Sequence, residues 1–222
     1  MKILVKFPTR GRKQKFLGTL MKYQRMCNNI DNLDFLISID SDDQTMNDEQ
    51  TFEILKTFKN LNVVVGKSES KIHAVNRDIN PEGNWDILLL ASDDMIPIEN
   101  GYDDIIIENM KNYYPDTDGV LFFNDGFQKN NLNTLCILGK KYYQRFGYIY
   151  NPEYKSTWSD VEFMDVANIL KKQTYFEQVI IKHEHPDWGY GKSDDIHQKN
   201  YKDLNHDRST YNKNKSNNFD LI

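Results

Sequence analysis

Residues 85–97 read Trp-Asp-Ile-Leu-Leu-Leu-Ala-Ser-Asp-Asp-Met-Ile-Pro, so an apolar run suited to a buried strand ends in two adjacent carboxylates, Asp93 and Asp94. Unpaired carboxylates at the mouth of an apolar core cost several kcal/mol, so they must face solvent, pair with a cation or hold a metal. Strand side chains alternate between faces, and both acids can meet one metal only where the chain bends on leaving the sheet. One direct ligand and one acting through water is the expectation, with an ordinary solvated loop as the alternative. Further on, Ser159-Asp160-Val161-Glu162 has the spacing of a helix capping box, in which Asp160 would favour the helix dipole.

The elements that must carry these groups follow from periodicity. Lys2 to Phe7 suits a strand, stopped by Pro8 and Gly11; Phe16, Leu17, Leu20, Met21 and Tyr23 have the spacing of a half-buried helix. Asp34–Ile39 reads as a second strand ending in Asp40-Ser41-Asp42-Asp43, Phe52 to Phe58 as a helix, and Asn62–Val65 as a third strand closed by Gly66. A helix over 72–79 leads to the Ile87–Leu90 strand. Such alternation predicts a parallel, doubly wound α/β sheet, whose ligands bind at the carboxyl ends of the strands. The polar clusters fall at those ends: Pro8 to Arg12, Asp40 to Asp43, Gly66 to Lys71 and Ser92 to Asp94. Polar turns explain one such cluster more readily than four.

After Pro97 the rhythm changes. Tyr102–Tyr114 reads as helix, and Gly119–Phe123 and Thr134–Leu138 as strands that extend the sheet in mixed directions. Few aliphatic residues follow Ser193, so residues 205–222 read as a polar, loosely attached tail beyond a single domain over 1–204.

The chain has 222 residues and a net charge of −5, which argues against a general nucleic-acid or polyanion binder. Cys27 and Cys136 lie far apart, without the spacing of a zinc cluster or disulfide framework, which favours a reducing, cytoplasmic setting. The opening apolar run is too short for a signal peptide, and no stretch approaches the roughly 20 apolar residues of a membrane span.

Taken in order, the clusters resemble the GT-A glycosyltransferases of the family-2 kind, which use nucleotide-diphosphate sugars. Pro8-Thr9-Arg10-Gly11-Arg12 resembles their opening nucleotide loop, and Ile39-Asp40-Ser41-Asp42-Asp43 the acidic strand end that faces the base. Lys71 to Arg77 resembles the segment carrying Ala-x-Asn, and Leu89 to Asp94 sits where the family often has Asp-x-Asp-Asp, with Ala91 replacing its first acid. Leu138–Tyr143 through Phe146–Ile149 resembles the acceptor-side segment, Trp158 to Phe163 the stretch that supplies the base, and Lys182-His183-Glu184-His185-Pro186 the late histidine of the metal–diphosphate site.

The resemblance implies a GT-A (Rossmann-like) fold, residues 1–98 forming the nucleotide-sugar half and 99–204 the acceptor half. It implies an inverting, metal-dependent transfer of sugar from a nucleotide-diphosphate sugar, a UDP-sugar being favoured, to an acceptor hydroxyl. Mn²⁺ or Mg²⁺ would be bound by Asp94 and His185, with His183 the rival ligand and Asp93 water-mediated or ribose-facing. Asp160 would be the general base, against its helix-capping alternative. Arg10, Arg12 and Lys71 would meet the diphosphate, Asp40 a uracil N–H and Asp42 the ribose, while Pro8, Thr9, Asn76 and Arg77 belong to the nucleotide-binding segments. Trp158, Trp188, Tyr148 and Tyr190 offer faces for stacking, core packing being the commoner role of such residues. The acceptor is open among a glycan, a protein, a lipid-linked saccharide and a modified nucleic-acid base. Three other activities share these features: a nucleotidyltransferase, for which Pro-Thr-Arg-Gly-Arg is poor in glycine; a non-catalytic glycan- or partner-binding domain; and nucleotide-sugar hydrolysis.

Overall fold

The computed structural model describes residues 1–185 and 201–221. Its first half alternates β1 (Ile3–Thr9), α1 (Lys13–Met26), β2 (Leu33–Asp40), α2 (Glu49–Leu55), β3 (Leu61–Gly66), α3 (Lys71–Asn76) and β4 (Ile87–Leu90). The second half adds β5 (Met95–Pro97), α4 (Tyr102–Tyr113), β6 (Val120–Phe123), β7 (Ile137–Gly139), α5 (Lys140–Phe146) and α6 (Ser159–Ile169). Then come β8 (Gln173–Phe176), β9 (Ile181–His183) and α7 (Leu204–Ser216).

Seven strands form one sheet in the order β3-β2-β1-β4-β7-β6-β8, and β5 pairs with β9 in a separate ribbon. β3, β2, β1 and β4 are parallel; β7 runs antiparallel to β4 and β6, and β6 is parallel to β8. The doubly wound, mostly parallel sheet with mixed directions in its second half is thus the one expected. β1 has β2 on one side and β4 on the other, so the winding reverses between β1 and β4. That reversal leaves a crevice beyond their carboxyl ends.

Each face of the sheet has its own core. Ile3, Val5 and Phe7 of β1 join Phe16, Leu20 and Tyr23 of α1 in one cluster, where Phe7 and Phe16 meet edge to face at 4.9 Å. Leu88, Leu90, Ile72, Tyr142 and Tyr154 build the other. Period-two alternation also sends Lys6 to this second side, where it is fully buried. Its Nζ donates to Ser38 Oγ and, at 2.7 Å, to the Arg77 carbonyl, with Asp78 at 3.9 Å. Burial nevertheless lowers the Lys6 pKa to about 7, against the pull of Asp78.

Several element boundaries differ from expectation. β1 continues through Pro8 to Thr9. The Lys6 carbonyl accepts from Ala91 N–H, so Lys6 and, two residues on, Pro8 direct their backbone polar groups toward β4, whose ladder ends at Lys6–Leu90. A missing N–H there leaves no ladder bond unmade. The helix expected over 72–79 stops at Asn76, and Asp78 takes a left-handed φ of 72°. The strand expected from Thr134 starts at Ile137, because Thr134 Oγ1 donates to buried Asp125 instead.

The expectation of a loose polar tail over 205–222 is corrected. Leu204–Ser216 is helical, with Asp207, Tyr211 and Asn214 buried. Its docking is polar: Tyr211 donates to Asp165 at 2.6 Å and Asn214 to Glu162 at 3.1 Å, so hydropathy gave no sign of it. Among the described residues, no helix is long and apolar enough to cross a membrane.

The buried lysine yields a pH-dependent stability. Its folded pKa lies below the unfolded value of about 10.5, so the unfolded chain binds more protons and stability rises with pH between about 7 and about 10.5. From pH 7 to pH 9 the Lys6 contribution is about 2 kcal/mol. Urea denaturation of wild type and Lys6→Met at the two pH values should show this rise in the wild type only; equal slopes would mean that Lys6 stays charged in the fold.

Candidate functional site

The loops leaving β1, β2 and β4 and the starts of α3 and α6 line one cleft of about 590 Å³, a size typical of small-molecule sites. Pro8, Thr9, Arg10, Arg12, Asp40, Asp42, Lys71, Asp93, Asp94, Asp160 and His185 all line it, as does His183. The cleft lies at the β1/β4 reversal, where an open α/β sheet exposes its strand ends.

On the β1 side, Gly11 takes a φ of 71°, and its N–H reaches Asp43 Oδ2 at 2.7 Å. This tight turn carries Arg10 and Arg12 to either side. Arg10 bonds Asp40 Oδ2 at 2.8 Å and grips Asp42 through two contacts of 2.5 and 2.9 Å. Arg12 Nη1 lies 3.1 Å from Asp93 Oδ1. Arg10 is therefore paired with the two carboxylates expected to read the base and ribose, and those carboxylates are already charge-compensated.

On the β4 side, the two acids differ in environment. Burial raises the Asp93 carboxyl pKa, opposed by Arg12 and reinforced by Asp94. Its Oδ2 is buried without a hydrogen-bond partner. Burial acts upward on Asp94 as well, but His183 and the Ser92 hydroxyl outweigh it and hold this carboxyl well below the usual range. His183 Nε2 lies 3.7 Å from Asp94 Oδ1, and the His183 and His185 rings meet edge to face at 5.7 Å.

The histidines arrive by strand pairing rather than by sequence proximity. β5, directly after Asp94, pairs antiparallel with β9 in the register Met95–His183, and Glu184 N–H bonds the Asp94 carbonyl at 2.7 Å. Among the described residues, no group of three or more His, Cys, Asp or Glu is arranged to hold a metal ion. The orphaned Asp93 oxygen and the Asp94 carboxylate beside His183 would offer a divalent cation part of an oxygen–nitrogen shell, with phosphate and water needed for the rest. Ala91, fully buried, contributes no ligand.

Asp160 stands in the first turn of α6, half-buried, with Oδ1 accepting from Val161 N–H at 3.0 Å. Burial raises its pKa, while Lys71, the local N–H groups and His183 pull it down, which places it within electrostatic reach of the donor side. The expected capping box is absent. Glu162 turns into the core and accepts from Asn151, Tyr154 and Asn214, and the N-cap is Trp158, with no side-chain cap bond.

Asn76 and Arg77 are engaged in contacts that hold the fold. Asn76 ties α3 to the backbone of Ile149 and Tyr150, and Arg77 spends its guanidinium on Ser68, Asp78 and the Ile39 carbonyl; neither lines the cleft. Trp158 and Tyr150 do line it, whereas Tyr148 packs on Phe146 at 5.7 Å. Trp188, Tyr190 and Pro186 lie outside the described residues. Gln128, Thr134, Lys155 and Asp203 were missed: the first three line the cleft from loops and Asp203 from a 3-10 turn before α7, and none carries a periodic signal.

No family model matches the sequence, and no curated protein matches it. Solved structures do match in fold. The mannosyltransferase PcManGT from Pyrobaculum calidifontis, in complex with GDP-Man and Mn²⁺, aligns with a TM-score of 0.67 at 12% identity, over 85% of this chain and 58% of that one. S. aureus TarS 1-349 aligns with a TM-score of 0.62 at 15% identity, over 82% and 60%. The same fragment in complex with UDP-GlcNAc gives 0.59 at 14% identity, over 82% and 58%. The chain thus spans about three-fifths of the length of these structures. What it shares with them is the fold, and that fold is GT-A.

Proposed function

We propose that the chain is a glycosyltransferase that moves a hexose from a nucleotide-diphosphate sugar to an acceptor hydroxyl with inversion, using Mn²⁺ or Mg²⁺. The observation that carries this reading is the convergence of a half-buried acid–histidine group, flanking cations and a carboxylate of raised pKa on one cleft of a GT-A fold. Asp94 and His185 would hold the divalent ion, with His183 fixing the Asp94 carboxylate and Asp93 turned to water or ribose. When bound, the ion neutralises charge developing on the leaving diphosphate. Arg12 and Lys71 flank the same position and suit the phosphate oxygens.

Asp160 takes the proton of the acceptor hydroxyl as its oxygen bonds to the anomeric carbon and the bond to the diphosphate oxygen breaks. Attack from the face opposite the leaving group inverts the centre. Burial raises the Asp160 pKa above the ordinary carboxylate value, which makes it a stronger proton acceptor, while Lys71 and His183 oppose the rise. At the other end, Asp40 can accept one ring N–H, which suffices for uracil, and exposed Asp42 suits a ribose hydroxyl; UDP is therefore the first nucleotide to test. Pro8 and Thr9 supply the wall beside them. Mannose and N-acetylglucosamine donors accompany the structural neighbours, and the sugar of this chain is to be found by screening.

Two measurements test the reading. Calorimetry should show UDP binding more tightly with Mn²⁺ than with EDTA, and Asp94→Ala should abolish the difference; equal affinity in the wild type removes the metal from the mechanism. GDP titrated alongside decides the base preference.

Asp160→Asn should leave nucleotide affinity and melting temperature nearly unchanged, since loss of a helix-terminus charge costs only about 0.3–1 kcal/mol. Turnover should fall by about 10² to 10⁴-fold. The wild-type rate should also drop as pH falls through the raised Asp160 pKa, a limb absent from the variant. A fully active Asp160→Asn enzyme would reduce Asp160 to a helix-terminus residue.

A further inference from the structure

Asp207 of α7 is fully buried, and it is spent on a single stretch of backbone. Its Oδ1 accepts from Lys155 N–H at 2.8 Å, and its Oδ2 from Ser156 N–H at 2.9 Å and Thr157 N–H at 2.7 Å. Thr157 Oγ1 adds a contact at 3.2 Å, and His206 Nδ1 lies 3.1 Å from Oδ1. Three consecutive amides thus converge on one carboxylate. Burial opposes its charge, but these donors outweigh that effect and hold the pKa below its ordinary value.

The stretch so held, Lys155 to Thr157, lines the cleft. Its next residue, Trp158, takes a left-handed φ of 63°, a costly conformation for a bulky residue that persists only where its surroundings enforce it. Trp158 also packs against Tyr211 of α7, with ring centroids 5.1 Å apart and the planes tilted by 38°. Two residues further on stands Asp160. On the other side, the Lys155 carbonyl accepts from Ile72 N–H at 3.3 Å, touching the first turn of the helix that begins with Lys71.

We infer that Asp207 is a positioning residue: by pinning the 155–157 amides it holds Trp158 in its left-handed conformation and sets Asp160 at the reaction centre. The inference rests on the proposed role of Asp160. Asp207 is a separate, charged element, and it acts through the loop without touching substrate. Replacing it by Asn removes the charge and puts an NH₂ where an amide acceptor stood, so the loop must relax while α7 keeps its Tyr211 and Asn214 contacts.

The test compares Asp207→Asn with Asn214→Ala, which loosens the same helix without touching residues 155–157. Release of nucleoside diphosphate from UDP- and GDP-sugars, with water as acceptor, is followed in the full chain. Asp207→Asn should lower kcat by up to about 100-fold, the scale expected for slight misplacement of a reacting group, with a much smaller change in donor KM. Asn214→Ala should keep kcat within about twofold while lowering the melting temperature comparably. In protein labelled with 5-fluorotryptophan, the ¹⁹F resonance of Trp158, assigned from Trp158→Phe, should move in Asp207→Asn while that of Trp85 stays. An unmoved Trp158 resonance, or equal kcat losses in both variants, would overturn the inference. A wild type that releases no nucleotide and binds none would defeat the glycosyltransferase reading, and the ¹⁹F comparison would still decide whether Asp207 sets the loop.

Discussion

The pairing of β5 with β9 is the constraint on which the rest of the site depends. Only Met95–His183, Ile96–Lys182 and Pro97–Ile181 are in register, yet this ribbon brings the residue after Asp94 beside the strand that ends in His183. Without it, two half-buried carboxylates at the end of β4 would face a cleft with Arg12 and Lys71 as their cationic company. Its outer edge is tied down as well: His183 N–H bonds the Asp125 carbonyl at 3.0 Å, while the buried Asp125 carboxylate fixes Phe127, Gln128 and Thr134. One short ribbon thereby orders both the histidines and the loop that lines the far wall.

The same cleft shows how a site can be charged before its ligand arrives. Arg10 holds Asp40 and Asp42, Arg12 holds Asp93, and His183 stands beside Asp94, so the carboxylates of the cleft already have cationic or polar partners. A nucleotide diphosphate with its cation would exchange these partners rather than fill a neutral hole. Such an exchange limits the net gain in affinity but penalises ligands lacking either the phosphate or the metal.

Much of the architecture was legible because it rests on periodicity and punctuation. The apolar runs of β1, β2, β3 and β4 and the polar clusters after them place the cleft at the strand ends. What escaped was carried by polar contacts that leave no periodic trace. α7 docks through Asp207, Tyr211 and Asn214, so its composition reads as solvated tail. Ser159 and Glu162 have capping spacing, but Glu162 found stronger partners in Asn151 and Tyr154, and a left-handed Trp158 begins the helix instead. Asn76 and Arg77 sit beside the site in sequence but were taken by backbone groups in need of donors. The family resemblance grouped the acids with the histidines, whereas the contact that sets His183 beside Asp94 is the β5–β9 pairing, which no spacing announces.

The central claim, that Asp94 and His185, two residues beyond the end of β9, hold a divalent ion against a nucleotide diphosphate, is tested most directly by pulsed EPR of Mn²⁺ bound to the full chain with UDP or GDP. The account predicts ³¹P and imidazole ¹⁴N couplings on the same ion, with the ¹⁴N coupling lost in His185→Gln and kept in His183→Gln. Mn²⁺ that shows phosphate coupling alone, identical to the free metal–nucleotide complex, would contradict it.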